Sequence, residues 1–472
     1  MRLPDDFMWG GASAANQCEG GIFEGGRGLA NVDVCPSGPD RSAVITGHRK
    51  MLRMDQQHRY PAAEGVDFYH RYREDIRLMG EMGFRVYRMS IAWTRIFPTG
   101  EEKMPNEEGL KFYEEVFKEC RKYRIEPLVT ISHFDCPIHL IKKYGGWRDR
   151  RMIDCYLRLC KVLFERFRNN VTRWLTFNEI NMILHAPFMG AGLYFEAGEN
   201  EEQIKYQAAH HELVASALAV KLAHEINPDN QVGCMFAAGA AYPYSCRPED
   251  VWEALLTDQE NYFFVDVQAR GYYPSYAVRR LRKKGVYPAM QEGDTEILKE
   301  NTVDFISFSY YNSRCIAAEE QETAEGNLFK SARNPYLTFS EWGWPVDPLG
   351  LRITLNQVYD RYQKPLFIVE NGLGALDEPD ENGYVEDEYR IDYLREHIRA
   401  MKAAVEEDGV ELMGYTSWAP IDLISAGTGE MKKRYGFVYV DLQEDGSGSG
   451  RRTKKKSFYW YQRVIETNGE EL

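Results

Sequence analysis

Eight short apolar runs recur along the chain, at residues 7–13, 84–93, 127–134, 174–179, 231–237, 304–311, 366–371 and 412–419. Several are apolar at consecutive positions, as in Leu366-Phe367-Ile368-Val369, where a half-exposed strand would alternate. That is the signature of strands covered on both faces of a parallel sheet. Helical periods separate them. Phe68, Tyr72, Ile76 and Met79 mark one apolar stripe; Leu110, Tyr113, Phe117 and Cys120 mark a second; Ile153, Tyr156, Cys160, Leu163 and Phe167 mark a third. Each stripe needs a sheet to cover it. Strand alternating with helix eight times predicts an α/β fold, a (β/α)₈ barrel. An open doubly wound sheet is the competitor, but no Gly-x-Gly-x-x-Gly follows the first strand. A barrel of this kind uses 472 residues as one domain, 1–472. Residues 446–450, Gly-Ser-Gly-Ser-Gly, read as a surface loop before a last helix.

Charge and cysteine content narrow the partners. Lys and Arg number 58 against 72 Asp and Glu, for a net charge of −14, which opposes nucleic acid or an anionic membrane as partner. The basic run at 451–456 reads as a solvated loop. No stretch approaches the ~18 apolar residues of a membrane span, and Met1-Arg2-Leu3-Pro4 does not read as a secretory leader. The 9 cysteines are odd in number and form no Cys-x-x-Cys, so a reducing cytoplasm is expected rather than a disulfide or zinc scaffold. Residues 20–28 are glycine-rich but lack the Gly-Lys-Ser/Thr of a phosphate loop. His133 and His139 have no third ligand at useful spacing, so no metal site is expected; His139 reads as structural.

In such a barrel the chemistry lies at the C-terminal ends of the strands. Those ends carry Gln17, Arg88, His133, Asn178, Glu179, Tyr311, Glu370, Asn371 and Trp418. Two are glutamates at the tips of apolar strands, Glu179 and Glu370. Glycosyl transfer needs one protonated and one ionised carboxyl on opposite sides of the scissile bond, and partial desolvation tunes such a pair. Either glutamate alone reads as a loop cap. Together, among His, Gln, Asn, Tyr and Trp, they read as a sugar site, with Glu179 as acid/base and Glu370 as nucleophile.

These segments closely resemble glycoside hydrolase family 1 along essentially the whole chain. Thr176-Phe177-Asn178-Glu179 looks like the family's acid/base segment and Ile368-Val369-Glu370-Asn371-Gly372 like its nucleophile segment. Residues 87–98 and Ser132-His133-Phe134-Asp135 match as well. The resemblance implies that Gln17, His133, Asn178, Glu370 and Trp418 hold the glycone. It also implies that Arg88 and Tyr311 flank the nucleophile and that Trp344 forms an aglycone platform. It implies no cofactor. Seven residues after Trp418, where plain β-glucosidases carry a sugar-gripping glutamate, stands Ser425. With Lys433 and Tyr435 it is similar to the phosphate clasp of 6-phospho-β-glycosidases, a cation and two hydroxyls replacing a repelling carboxylate. A second Ser or Thr common in that group is Gly427 here; Thr428 is a candidate substitute. Ala426 stands where phospho-galactosidases have Trp, which favours a 6-phospho-glucoside. The expected activity is retaining hydrolysis of 6-phospho-β-D-glucosides. The alternatives are an unphosphorylated β-glucosidase, a 6-phospho-β-galactosidase, and a non-catalytic sugar-binding homologue. The expected partner is a small phosphorylated β-glucoside, and nothing in the sequence opposes a homo-oligomer.

Overall fold

The computed structural model describes residues 2–323 and 331–472. Sixteen elements alternate along it. They run β1 (Met8–Ala12), α1 (Phe68–Glu81), β2 (Val86–Ser90), α2 (Glu107–Lys122), β3 (Glu126–Ser132), α3 (Arg151–Arg166), β4 (Arg173–Phe177), α4 (Glu201–Ile226), β5 (Gln231–Ala238), α5 (Pro248–Arg270), β6 (Phe305–Tyr310), α6 (Pro348–Tyr362), β7 (Leu366–Glu370), α7 (Glu388–Glu406), β8 (Leu412–Trp418) and α8 (Lys456–Glu466). The strands pair in parallel with their sequence neighbours, and β1 closes the barrel onto β8. The expected (β/α)₈ barrel is the observed fold. Its strands are mostly shorter than the apolar runs, because the runs continue into loops that are themselves buried, such as Ile91 and Trp93 after β2.

Local chemistry sets the helices. Asn106 caps α2 by accepting from the Glu108 amide; Glu107 and Glu108 open the helix, while Arg121 and Lys122 close it. That charge order matches the helix dipole. The three predicted apolar stripes are all buried. One end of the barrel is plugged by Val86, Leu128, Leu175, Met235, Phe305, Phe367 and Val369. Two residues beyond Val86 on the same face of β2 comes Arg88, fully buried. The apolar plug therefore gives way to polar side chains toward the strand C-termini.

The basic run at 451–456 departs from expectation. It is not solvated. Arg452 forms a bidentate pair with Asp75, at 2.8 and 3.0 Å, both almost inaccessible. Lys455, with no exposed side-chain surface, contacts Asp422 at 2.7 Å and Asp377 at 2.5 Å. Arg434 also reaches Asp422, at 3.1 Å, and Arg390 of α7 joins Asp377 and Asp387 at 2.7 and 2.9 Å. Lys455, Arg434 and Arg390 thus balance Asp377, Asp387 and Asp422 in one buried network. It ties the loops after β7 and β8 to the C-terminal segment. No helix among the described residues is long and apolar enough to cross a membrane.

Removing one member of a buried pair leaves an uncompensated charge, at a cost of about 3–5 kcal/mol. Lys455→Met is expected to lower the thermal midpoint clearly in a melt followed by fluorescence, and more than Lys432→Met, whose side chain is exposed. Equal melting of the two variants would show the network to be unimportant.

Candidate active site

Above the apolar plug lies a cavity of about 410 Å³. Glu179 and Glu370 border it, as do Gln17, His133, Asn178, Tyr311, Trp344, Trp418, Ser425, Lys433 and Tyr435. Arg88 lies beneath. Its Nη1 donates to Glu370 Oε1, its Nη2 to Asn178 Oδ1 at 2.6 Å and its Nε to Thr130 Oγ1 at 2.8 Å. Tyr311 donates to the other Glu370 oxygen at 2.8 Å. A register shift between Ile368 and Glu370 sets Glu370 opposite Ser309 of β6. Such irregularities re-aim side chains at barrel rims. Ser309 in turn donates to Glu179 Oε1 at 2.5 Å.

Three side chains at this rim sit on left-handed backbone: Phe134 after β3 (φ 67°), Glu179 after β4 (φ 37°) and Ala419 after β8 (φ 58°). None is glycine, so each is strained by about 1–3 kcal/mol and held by its surroundings. At Glu179 the amide is held against Met235 Sδ at 3.0 Å. The strain turns the carboxyl of Glu179 off the strand line into the cavity.

The two carboxyls have different environments. Burial, and then the charge of Glu370, raise the pKa of Glu179 to about 8, against smaller opposing effects of the Ser309 hydrogen bond and Arg88. Burial also raises Glu370, but Arg88 and the Tyr311 hydroxyl oppose it strongly, leaving it the more acidic of the two. Glu179 is thus placed to keep its proton at neutral pH, while Arg88 and Tyr311 favour the ionised form of Glu370. Desolvation, and then Arg88, pushes His133 well below the usual imidazole range, so its ring is neutral. Its Nδ1 has no protein partner among the described residues. The ring stacks on Trp418 at 6.1 Å between centroids.

Several placements differ from a plain reading of strand ends. Gln17 is not on a strand: it lies in the one-turn helix Ala15–Cys18 after β1, and its Nε2 donates to Ile424 O at 2.6 Å. It therefore braces the loop that carries Ser425. Asn371, buried, donates to Tyr310 O and accepts from Tyr415, at 2.7 Å each, which fixes the chain just after Glu370. His139 is half-exposed against Glu101 at 2.7 Å, away from the cavity. Among the described residues no group of three or more His, Cys, Asp or Glu could hold a metal ion, and the cysteines described are unpaired. Ser309 was not singled out by the sequence, although it shares a strand face with Ser307 in an otherwise apolar run.

At the far side of the cavity, Lys432 is exposed, whereas Lys433 and Arg434 are buried. The Lys433 ammonium lies 3.9 Å from the Trp344 ring centroid, and no carboxylate pairs with it among the described residues. Burial lowers its pKa to about 8. Tyr435 is buried against the Ser425 hydroxyl. Trp344 thus carries a cation on its ring besides bordering the cavity. The cluster offers one cation and two hydroxyls around space next to the glutamates.

The model of the family described as Glycosyl hydrolase family 1 matches residues 1–470. The 6-phospho-beta-glucosidase AscB of Escherichia coli (strain K12) is 60% identical over 472 residues, covering 100% of this chain and 99% of that protein. The aryl-phospho-beta-D-glucosidase BglH of Bacillus subtilis (strain 168) is 56% identical over 473 residues, covering 100% and 99%. A solved beta-glucosidase from Thermotoga maritima, in complex with castanospermine, superposes with a TM-score of 0.84 at 29% identity, covering 100% of both chains.

Arg88→Met removes the cation and one hydrogen bond from Glu370. Loss of an opposite charge in contact raises a carboxyl by about 1–3 pH units. Carbon-13 NMR titration of labelled glutamates is expected to show the Glu370 midpoint moved to higher pH; an unmoved midpoint would mean that Arg88 does not hold Glu370 ionised.

Proposed function

Because the chain belongs to glycosyl hydrolase family 1, we propose that it hydrolyses 6-phospho-β-D-glucosides to glucose 6-phosphate and the aglycone, with retention at the anomeric carbon. The observation that carries the phosphate is Lys433, buried beside Ser425 and Tyr435 with no carboxylate partner among the described residues. A buried cation without a counter-ion is costly, and a phosphate dianion supplies the missing charge. Cellobiose 6-phosphate and aryl β-glucoside 6-phosphates are the substrate types in view. Ala426, small at the cavity edge, leaves room for an equatorial O4.

Glu370 is the nucleophile. Arg88 and Tyr311 keep it ionised and aimed. It attacks the anomeric carbon while Glu179, still protonated, gives its proton to the departing oxygen. The aglycone leaves as the alcohol, and the sugar stays on Glu370 as an ester. Glu179, now a carboxylate, takes a proton from water; the hydroxide adds to the anomeric carbon and frees Glu370. Gln17, His133, Asn178 and Trp418 hold the glycone hydroxyls and ring face, and Trp344 flanks the aglycone side. The whole chain, 1–472, acts as one catalytic domain: α8 closes onto β1, with Tyr461 donating to Gly10 O at 2.8 Å. A cytoplasmic location suits a phosphorylated substrate and 9 cysteines described without a disulfide. A homo-oligomer is compatible with this reading.

The general acid must be protonated, so kcat/KM is expected to fall as pH rises through about 8, the pKa of Glu179. Glu179→Gln should slow formation of the glycosyl-enzyme far more for alkyl than for nitrophenyl substrates, whose leaving groups need little protonation. Glu370→Gln should abolish the intermediate. Equal slowing of both substrate types by Glu179→Gln, measured by stopped flow, would reassign the acid.

A hydrogen bond to a charged group contributes about 1.5–3 kcal/mol. Lys433→Ala is therefore expected to cost about one to two decades of kcat/KM on 4-nitrophenyl β-glucoside 6-phosphate and little on the unphosphorylated glucoside. Equal losses, or a wild type that prefers the unphosphorylated sugar, would remove the phosphate from the reading.

A further inference from the structure

The loop that carries Ser425 separates two spaces. Residues 425–428 border the substrate cavity; Arg41 does not, and lies on the other side, lining a smaller pocket with Ser425 and Ala426. Arg41 spends its donors on backbone carbonyls alone. Nε reaches Ala426 O at 3.2 Å and Gly427 O at 3.1 Å, Nη2 reaches Ala426 O at 2.5 Å, and Nη1 reaches Cys35 O and Pro36 O at 3.2 and 3.0 Å. Among the described residues no carboxylate pairs with it, and burial lowers its pKa. In a trans peptide the carbonyl and the following N–H point opposite ways, and the chain has no cis peptide among the described residues. With the Ala426 and Gly427 carbonyls drawn toward Arg41, the Gly427 and Thr428 N–H groups point away from it, toward the substrate cavity. Neither donates to a protein acceptor among the described residues. Successive free amides of this kind form an anion-binding concavity. Lys433, 3% exposed and without a carboxylate partner, borders the same cavity. The Thr428 hydroxyl is partly engaged, accepting from the Glu430 amide at 3.3 Å. A side chain at Gly427 would meet nothing within 4 Å, so packing does not force the glycine there.

We propose that the Gly427 and Thr428 backbone amides form the third arm of the phosphate site, and that Arg41 is the positioning residue that turns them toward it. This rests on the phosphate reading above. The amides replace the hydroxyl absent at Gly427, and Arg41 adds a positive charge behind them without touching the substrate. The two-pronged contact is a property of the guanidinium fork that an ammonium cannot reproduce.

The test compares kcat/KM on 4-nitrophenyl β-glucoside 6-phosphate and on its unphosphorylated counterpart, taking their ratio for each enzyme. Arg41→Met is expected to lower the ratio by about tenfold, mainly through KM, as loss of a charge-assisted contact would. Arg41→Lys should not restore it. Thr428→Ala should lower it much less than Arg41→Met. An unchanged ratio in Arg41→Met, while Lys433→Ala collapses it, overturns the inference and leaves the phosphate reading standing. Full rescue by Arg41→Lys would assign the effect to distant charge and overturn the positioning role. A Thr428→Ala loss as large as that of Arg41→Met would make the hydroxyl the third arm. A wild type indifferent to phosphate overturns both readings. Should Arg41→Met fail to fold, a crystal structure of the wild type with glucose 6-phosphate decides. Amide nitrogens of Gly427 and Thr428 within about 3.2 Å of phosphate oxygens support the arm, and a phosphate touching neither overturns it.

Discussion

A guanidinium buried in the throat of a barrel can exist there only if its charge and donors are met, and Arg88 organises the site around that requirement. Its place on β2, one pleat above the apolar plug, is dictated by strand alternation. Taking an unpaired charge out of water costs several kcal/mol. Glu370, Asn178 and Thr130 meet it from β7, the end of β4 and β3, so one side chain clamps three strands. The same contacts favour the ionised form of Glu370 and fix Asn178, the residue before Glu179. The proton inequality between the two glutamates is thus a by-product of satisfying one buried cation. Glu179 receives no comparable share, and burial beside a carboxylate does the rest.

Much of this was legible in the chain. Consecutive apolar residues in several of the eight runs mean strands covered on both faces, and the missing Gly-x-Gly-x-x-Gly disfavours the open doubly wound sheet. Carboxylates at the tips of such runs stand out because nothing else in the run is charged. What escaped depends on tertiary neighbours. Ser309 looks like any small residue in a strand until its register with Glu370 is known. Arg41 carries no pattern at all, since its partners are backbone carbonyls, two of them nearly four hundred residues away in sequence. Lys432, Lys433 and Arg434 are adjacent and alike, yet one is exposed and two are buried. The basic run at 451–456 was misread for the same reason: Asp75, Asp377 and Asp422, far off in sequence, wait for Arg452 and Lys455. Clustered charge says only that counter-charges are needed, not whether water or aspartate supplies them.

The buried network behind the β7 and β8 loops links the two halves of the proposed site mechanically. Arg390 Nη1 donates to Leu373 O, just after the nucleophile segment, and to Arg434 O, next to Lys433, at 2.6 and 3.2 Å. Gly374 packs so closely on Lys433 and Tyr435 that a Cβ there would lie 2.7 Å from Lys433 Cε. The loop after Glu370 and the segment carrying Lys433 and Tyr435 are therefore one packed unit.

Lys433, held on the face of Trp344 at the border of the cavity, has a kinetic consequence in the proposed reaction. The atoms it would grip take no part in bond making or breaking. A handle that passes through the reaction unchanged is held alike in substrate, transition state and product, and such uniform binding favours capture over turnover. The aglycone departs without it, but glucose 6-phosphate keeps the whole handle. In that reading, the tighter the grip on the incoming sugar, the more slowly the outgoing one escapes.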